Sequence, residues 1–331
     1  MLEFISIMRA IAVILVVGYH LGLPGFANGY LGVDMFLVIA GFFVGEAFFN
    51  KGYTFVYFVD RRVRRLLPEL LFWGLVFLLL YSIFARNGDA FNAYVDFVSS
   101  VFFFSNMYYE TFIGYFEENS SRLLFLHTWS LSLEVQFYII FALGYVLLLK
   151  YLPPKSVFFL IILGFVSSLI LNEWAFIYAP SPAFYYLPTR LWEFLVGVAI
   201  AFVSFYRAKE PNIPWAPIGS VLLLSSAILV TDGTLKNMVT VILSGCGLVF
   251  AIFTVKHAIF RSAYMSPIIS IGEKSYSVYL IHWPLIKVFE AAGYPIESSI
   301  FILFLFILIC ATQFSDKYIS QQFNKPTNSI G

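Results

Sequence analysis

The sequence predicts an all-α polytopic membrane protein with about ten transmembrane helices, and three observations carry that prediction. Of its 331 residues, 60% are hydrophobic and only 12% are charged. A soluble domain holds about 25% charged residues, so this chain has too few polar side chains to coat a water-facing surface, and the surplus apolar surface must face lipid. Apolar stretches long enough to cross a bilayer, roughly 20 residues each, recur along the chain. The basic residues collect in alternate connections, as they do when one side of the membrane is cytoplasmic.

The predicted spans are 5–23, 31–49, 67–85, 128–150, 155–172, 187–206, 213–231, 237–255, 270–290 and 297–316. The segment 92–109 is too short and too aromatic for a span and is expected to lie at, or dip into, the outer surface. With the N-terminus in the cytoplasm, the inner connections and tails hold Lys51, Arg61, Arg62, Arg64, Arg65, Lys150, Lys155, Arg207, Lys209, Lys256, Arg261, Lys317 and Lys325. The outer connections hold only Arg86, Arg122 and Lys236. Ten spans keep this asymmetry and place both termini inside; an eleventh at 92–109 would destroy it. The stretch 86–127 is then an external loop with Glu110, Glu117 and Glu118.

No internal repeat or low-complexity tract stands out, so residues 1–331 are expected to form a single membrane domain with no appended soluble domain. The first apolar stretch has no small-residue cleavage site and carries Arg9 and His20, which marks a retained span rather than a removed signal. A net charge of +1 points to no nucleic-acid partner. Cys246 and Cys310 lie in apolar runs and are expected to be small core residues; no metal site is expected.

An ionisable group at mid-bilayer costs about 2.5–3.5 kcal/mol on insertion scales, so those that persist in spans are functional candidates. Here they are Arg9, His20, Asp34, Glu134, Arg190, Glu193 and His282, with Glu46 and Lys287 near span ends where they can reach an interface. Arg9 and His20 are eleven positions apart, which returns them to nearly one helix face at about 16 Å separation. Asp34 enters the second span from the end where His20 sits; it reads either as a partner that fixes the imidazole tautomer or as a helix N-cap.

The segment FVDRRVRRLLPEL carries Arg61, Arg62, Arg64 and Arg65, with Pro68 expected to mark a helix start. The arginines read as an orientation signal or as phosphate ligands for a donor such as a coenzyme A thioester. In HTWSLSLEVQFYIIF, Ser130, Glu134 and Tyr138 share one face, Trp129 suits the headgroup level, and Glu134 needs a partner from another helix or a proton. Arg190 and Glu193 are spaced for an ion pair. Ser275, Tyr279 and His282 fall on one face of a helix that Pro284 is expected to kink.

Together these segments resemble the acyltransferase 3 family of bacterial integral-membrane acyltransferases, over nearly the whole chain. The resemblance rests on Arg9 and His20; on GVDMF with Gly41 and Phe42; and on Arg61, Arg62, Arg65 and Pro68. It rests further on Trp129, Ser130, Leu131 and Glu134; on Arg190, Glu193 and Gly197; and on Ser275, Tyr276, Tyr279, His282, Trp283 and Pro284. It implies acetyl-CoA as cytoplasmic donor, with no metal, and a sugar hydroxyl as acceptor. That sugar would belong to a cell-surface glycan such as lipopolysaccharide O-antigen or capsule, or to a lipid-linked precursor. The expected location is the bacterial inner membrane.

Acyl transfer to a hydroxyl needs a base, a thioester pocket and charge stabilisation at the carbonyl. His20 is expected to be the base, oriented by Asp34 or Glu134. Arg61, Arg62, Arg64 and Arg65 would hold the CoA phosphates and Arg9 would sit along the pantetheine arm. Trp129, Ser130, Tyr138, Arg190, Glu193, Ser275, Tyr276, Tyr279 and His282 would line the acceptor side. The competing class is a transporter or flippase of a glycolipid or small anionic substrate, but such proteins usually show two related halves.

Overall fold

Helix follows helix along the chain because apolar runs of this length leave the backbone no other way to satisfy its hydrogen bonds in lipid. The computed structural model describes residues 2–85, 89–112, 123–206, 265–294, 296 and 298–323. Among them there is no strand. The helices are α1 (Leu2–His20), α2 (Gly32–Gly45), α3 (Phe55–Phe84), α4 (Asp89–Val101), α5 (Ser105–Phe112), α6 (Thr128–Leu147) and α7 (Pro154–Tyr178). There follow α8 (Pro180–Tyr185), α9 (Leu187–Tyr206), α10 (Ser266–Glu273), α11 (Ser275–Ala291), α12 (Ser298–Ser315) and the short α13 (Gln321–Phe323).

Among the described residues, seven stretches are long and apolar enough to cross a membrane: Glu3–His20, Gly29–Asn50, Phe55–Phe84, Thr128–Tyr151, Pro154–Tyr178, Pro180–Phe205 and Ile300–Phe323. They answer to seven of the ten predicted spans. The spans expected at 213–231 and 237–255 lie outside the described residues, as do Glu117, Glu118 and Cys246. The span expected at 270–290 is two helices broken at Lys274, and Pro284 lies inside α11. The segment 92–109 forms α4 and α5, 13 and 8 residues long, too short to cross.

Pro68 does not start a helix; it lies inside α3, whose 30 residues begin at Phe55. At 1.5 Å per residue this helix is about 45 Å long, against a hydrocarbon core of about 30 Å. The excess of about three turns is where the arginines sit. They are therefore helical residues on a projecting end rather than loop residues. The Tyr276 hydroxyl donates to the Leu66 carbonyl at 2.7 Å, bracing the turn that carries the proline.

The helices form two compact units: residues Met1–Phe55 with Leu133–Ser275, and residues Val56–Ser132 with Tyr276–Gly331. In the first unit, α1, α2 and α9 supply the core: Phe4, Ile5, Met8, Ala12, Met35, Val38, Phe42 and Trp192 are buried together. Helices apolar all round belong in such an interior. α2 and α9 run parallel with their backbones touching. A Cβ on Gly41 would strike the Phe194 carbonyl, and one on Gly197 the Val38 carbonyl. Small residues at such a crossing maximise packing between helices. Helix α7, by contrast, exposes Phe159, Leu163, Ile170, Trp174 and Ile177. In the second unit α12 exposes Ile302, Phe306 and Ile309, and Cys310 is exposed as well. The cysteine was expected in the core; on a helix whose apolar face meets lipid, an exposed thiol costs little.

Candidate active site

In the first unit three ionisable side chains meet out of contact with water. Arg190 on α9 donates to Asp34 Oδ1 at 3.0 Å and to Glu193 Oε1 at 2.9 Å, and its Nε–H to the Phe184 carbonyl at 3.3 Å. Its guanidinium also lies over the Phe184 ring, 5.0 Å from the centroid. The turn that carries Arg190 is fixed from α7. The Ser168 hydroxyl donates to the Pro188 carbonyl and accepts the Trp192 N–H, bridging a pair that would otherwise bond within the helix. The i, i+3 pairing of Arg190 with Glu193 is as the spacing predicts. Asp34 is the addition, 156 positions away in sequence. It is not an N-cap: the cap position of α2 is Leu31 and no side chain caps it.

Asp34 was expected to face His20, and the packing of α2 on α1 places it elsewhere. Gly29 rests on Leu15 and Gly32 on Ala12 and Val16, so the two helices are antiparallel and Asp34 lies level with residues 10–14 of α1. His20 is then about 9–15 Å further along the axis, and its ring stands 5.4 Å from that of Tyr19. Both Arg9 and His20 are partly exposed. The Asp34–Arg190–Glu193 trio therefore sits between their levels on α1. Glu134 was expected to need another helix or a proton. Among the described residues its partner is on its own helix, where the Tyr138 hydroxyl donates to it from one turn away.

The second unit holds the arginines and a network of hydroxyls and imidazoles. Arg64 shares its Nε–H between both carboxylate oxygens of Asp60, each at 2.8 Å, and both residues are about 40% exposed. Arg61 donates to the Tyr57 hydroxyl and Arg62 lies over the Phe58 ring. Arg65 is half-buried. On α11 the Tyr279 hydroxyl donates to the His127 carbonyl at 2.7 Å, and the Ser130 hydroxyl bonds Tyr279 at 2.7 Å. His282 places Nδ1 2.7 Å from the Tyr279 carbonyl. A carbonyl only accepts, so Nδ1 carries the hydrogen and Nε2 of the neutral ring keeps its lone pair. The His127 and His282 rings lie 5.7 Å apart. Ser275 opens α11 with its Oγ buried and unbonded among the described residues. Trp129, expected at the headgroup level, is buried. Lys287, expected to reach an interface, is buried over the Trp283 ring and pairs with Glu290 at 2.7 Å.

Three polar residues were not singled out from sequence. His127 directly precedes the WSLxxE stretch, and Glu69 directly follows Pro68. Glu69 is buried and accepts from Ser277 at 2.6 Å, from Ser315 at 2.7 Å and from Ser320. Asp96, on α4, accepts from the Tyr109 hydroxyl and from the Phe125 N–H at 2.7 Å. Burial pushes the Asp96 carboxyl up to about 7, the Tyr109 hydroxyl and the Phe125 and Leu124 N–H groups offsetting part of that rise. The signal for all three was a polar residue inside an apolar or motif-dense stretch. Among the described residues no three His, Cys, Asp or Glu side chains are grouped to hold a metal.

Comparison with known proteins gives this geometry a context. Residues 2–314 match the acyltransferase 3 description, an acyltransferase domain. BcsY of Komagataeibacter xylinus, named as a membrane-bound transacylase, is 32% identical over 297 residues, covering 85% of this chain and 72% of that protein. The peptidoglycan O-acetyltransferase OatA of Listeria monocytogenes is 28% identical over 314 residues, covering 84% of this chain and 48% of that protein. The O-acetyltransferase OatA of Staphylococcus aureus is 28% identical over 325 residues, covering 92% and 54%. The chain thus spans about half the length of the OatA proteins. No solved structure matches it.

Proposed function

The chain belongs to the acyltransferase 3 family, and from that premise we propose that it moves an acetyl group from cytoplasmic acetyl-CoA to a hydroxyl of a cell-surface glycan or of its lipid-linked precursor. The observation that carries the donor assignment is the projecting end of α3. It presents Arg61 and Arg64 exposed, with Arg62 and Arg65 beside them. Guanidinium groups pair with phosphate oxygens through two parallel hydrogen bonds, and CoA carries its phosphates at the end opposite the thioester. The Listeria relative, a peptidoglycan O-acetyltransferase by name, supports a glycan acceptor, and both OatA relatives support an O-acetyl product.

In the reaction, the acceptor hydroxyl gives its proton to an imidazole and its oxygen attacks the thioester carbonyl. The tetrahedral intermediate collapses with loss of the CoA thiolate, which takes the proton back from the imidazolium. His20 is our candidate for that imidazole, because it is partly exposed at the end of α1 while His127 and His282 are buried. Arg9, on the same helix, lies on the side from which the donor would come, with both termini in the cytoplasm of a bacterial inner membrane. Mass spectrometry of the surface glycans of cells with and without the protein tests the assignment. The expected difference is loss of one acetyl group per modified sugar; identical glycans would reject it.

A further inference from the structure

The buried trio of the first unit has an unfilled hydrogen-bonding capacity. Two carboxylates share one guanidinium, and each spends a single oxygen on it. The other oxygens, Asp34 Oδ2 and Glu193 Oε2, are buried and accept no hydrogen bond among the described residues. Asp34 is 3% exposed and Glu193 0%, so bulk water does not make up the deficit. Leaving a buried acceptor unmet is costly, and more so for a charged group. The surroundings give no structural reason for that cost. Ser168, Thr189 and Phe184 already tie the Arg190 turn in place, and the α2–α9 contact is made by glycine backbone.

Position narrows what would fill it. The trio lies level with residues 10–14 of α1, between Arg9 and His20. A group travelling along α1 from the Arg9 side to His20 must pass this level. The two open atoms are acceptors beside a guanidinium that is already paired twice. An incoming phosphate would meet two carboxylates before it met a free cation. A neutral N–H or O–H donor would satisfy the open oxygens without adding charge. In a thioester donor the neutral donors of the pantetheine arm are its two secondary amides and one hydroxyl, on a chain thin enough to run between helices where a glycan is not; the amides are the donors nearer the acyl end.

We propose that Asp34 Oδ2 and Glu193 Oε2 form a station for the amide N–H groups of the donor's pantetheine arm, holding the arm at mid-helix while its acetyl end reaches His20. The station rests on the acetyl-CoA assignment above. Each amide gains a hydrogen-bond acceptor, and the two oxygens gain the partner they lack among the described residues.

The test uses the purified full chain in nanodiscs and three donors: acetyl-CoA, S-acetyl-pantetheine, and a depsi analogue of S-acetyl-pantetheine with each amide N–H replaced by an ester oxygen. Thiol release in the presence of acceptor is the readout. The analogue keeps the length, bulk and hydroxyls of the arm and removes the two amide N–H donors. The expected result is a fall in kcat/KM of about tenfold for the analogue relative to S-acetyl-pantetheine, since two hydrogen bonds are lost together. The gap should close to within about threefold in Glu193→Gln, where the remaining amide is a poorer acceptor. Equal use of the two pantetheine donors by the unsubstituted protein overturns the station, and that comparison needs no variant to fold. If acetyl-CoA itself is not consumed, the donor assignment falls, and the station falls with it.

Discussion

The two units bury polar groups in opposite ways. In the first, the carboxylates of Asp34 and Glu193 face a cation and share it unequally with their own needs: one guanidinium for two carboxylates, two oxygens left over. In the second, Glu69 and Asp96 meet no cation among the described residues and accept instead from neutral donors, three serine hydroxyls for the one, a tyrosine hydroxyl and backbone N–H groups for the other. A carboxylate ringed by neutral donors is finished; it ties α3, α11 and the end of α12 together. A carboxylate with an open oxygen is waiting for something. Burying a charge is costly in either setting, and of these four carboxyls only the two of the first unit keep an oxygen unmet among the described residues.

Breaking that contrast should have graded effects. The largest is Arg190→Met, which leaves Asp34 and Glu193 buried with no counter-charge. Removing one partner of a buried ion pair costs about 3–5 kcal/mol, so the protein should fall sharply in membrane abundance and in unfolding temperature in detergent. Glu69→Gln should cost less, about 1–3 kcal/mol, because the amide keeps one acceptor oxygen for the serines; thermal unfolding would read it.

The Asp96 prediction concerns pH. Its folded carboxyl titrates near 7, above its ordinary 3.8, because of burial. The folded state therefore holds a proton that the unfolded chain has lost between these values. That contribution to stability is whole below about 4 and declines as pH rises, being spent once pH passes 7. The unfolding temperature should fall between pH 5 and pH 8, and Asp96→Asn should flatten the fall. A wild-type curve no steeper than that of the variant would contradict the assignment. The smallest effect is expected for Tyr279→Phe, about 0.5–1.5 kcal/mol for one hydrogen bond, with the Ser130 hydroxyl left to bond the His127 carbonyl at 3.3 Å.

Much of this was legible in the sequence, in a particular way. Local spacing gave the seven long apolar helices and the Arg190–Glu193 pair, because hydropathy and i, i+3 geometry are properties of one segment. The failure of 92–109 to span was legible for the same reason. Partners from distant segments were not legible. Nothing near Asp34 names Arg190, and its entry beside His20 suggested an imidazole partner that the register of α1 against α2 places about 9–15 Å away. Pro68 misled because prolines favour helix starts, whereas here the helix runs on past the membrane thickness and takes the proline inside. Asp96 and Glu69 were hidden by their neighbours: one lay in a segment read as surface, the other beside four arginines that drew attention first.

Acceptor-dependent release of CoA thiol from acetyl-CoA by the purified chain in nanodiscs, with and without His20→Ala, tests the central claim most directly. The account predicts thiol release that requires acceptor and drops by about 10²–10⁴-fold, the usual contribution of a general base, in the variant at equal protein. Thiol release unchanged by His20→Ala would contradict the role given to that imidazole. No release from the unsubstituted protein with acceptor present would contradict acetyl transfer from CoA itself.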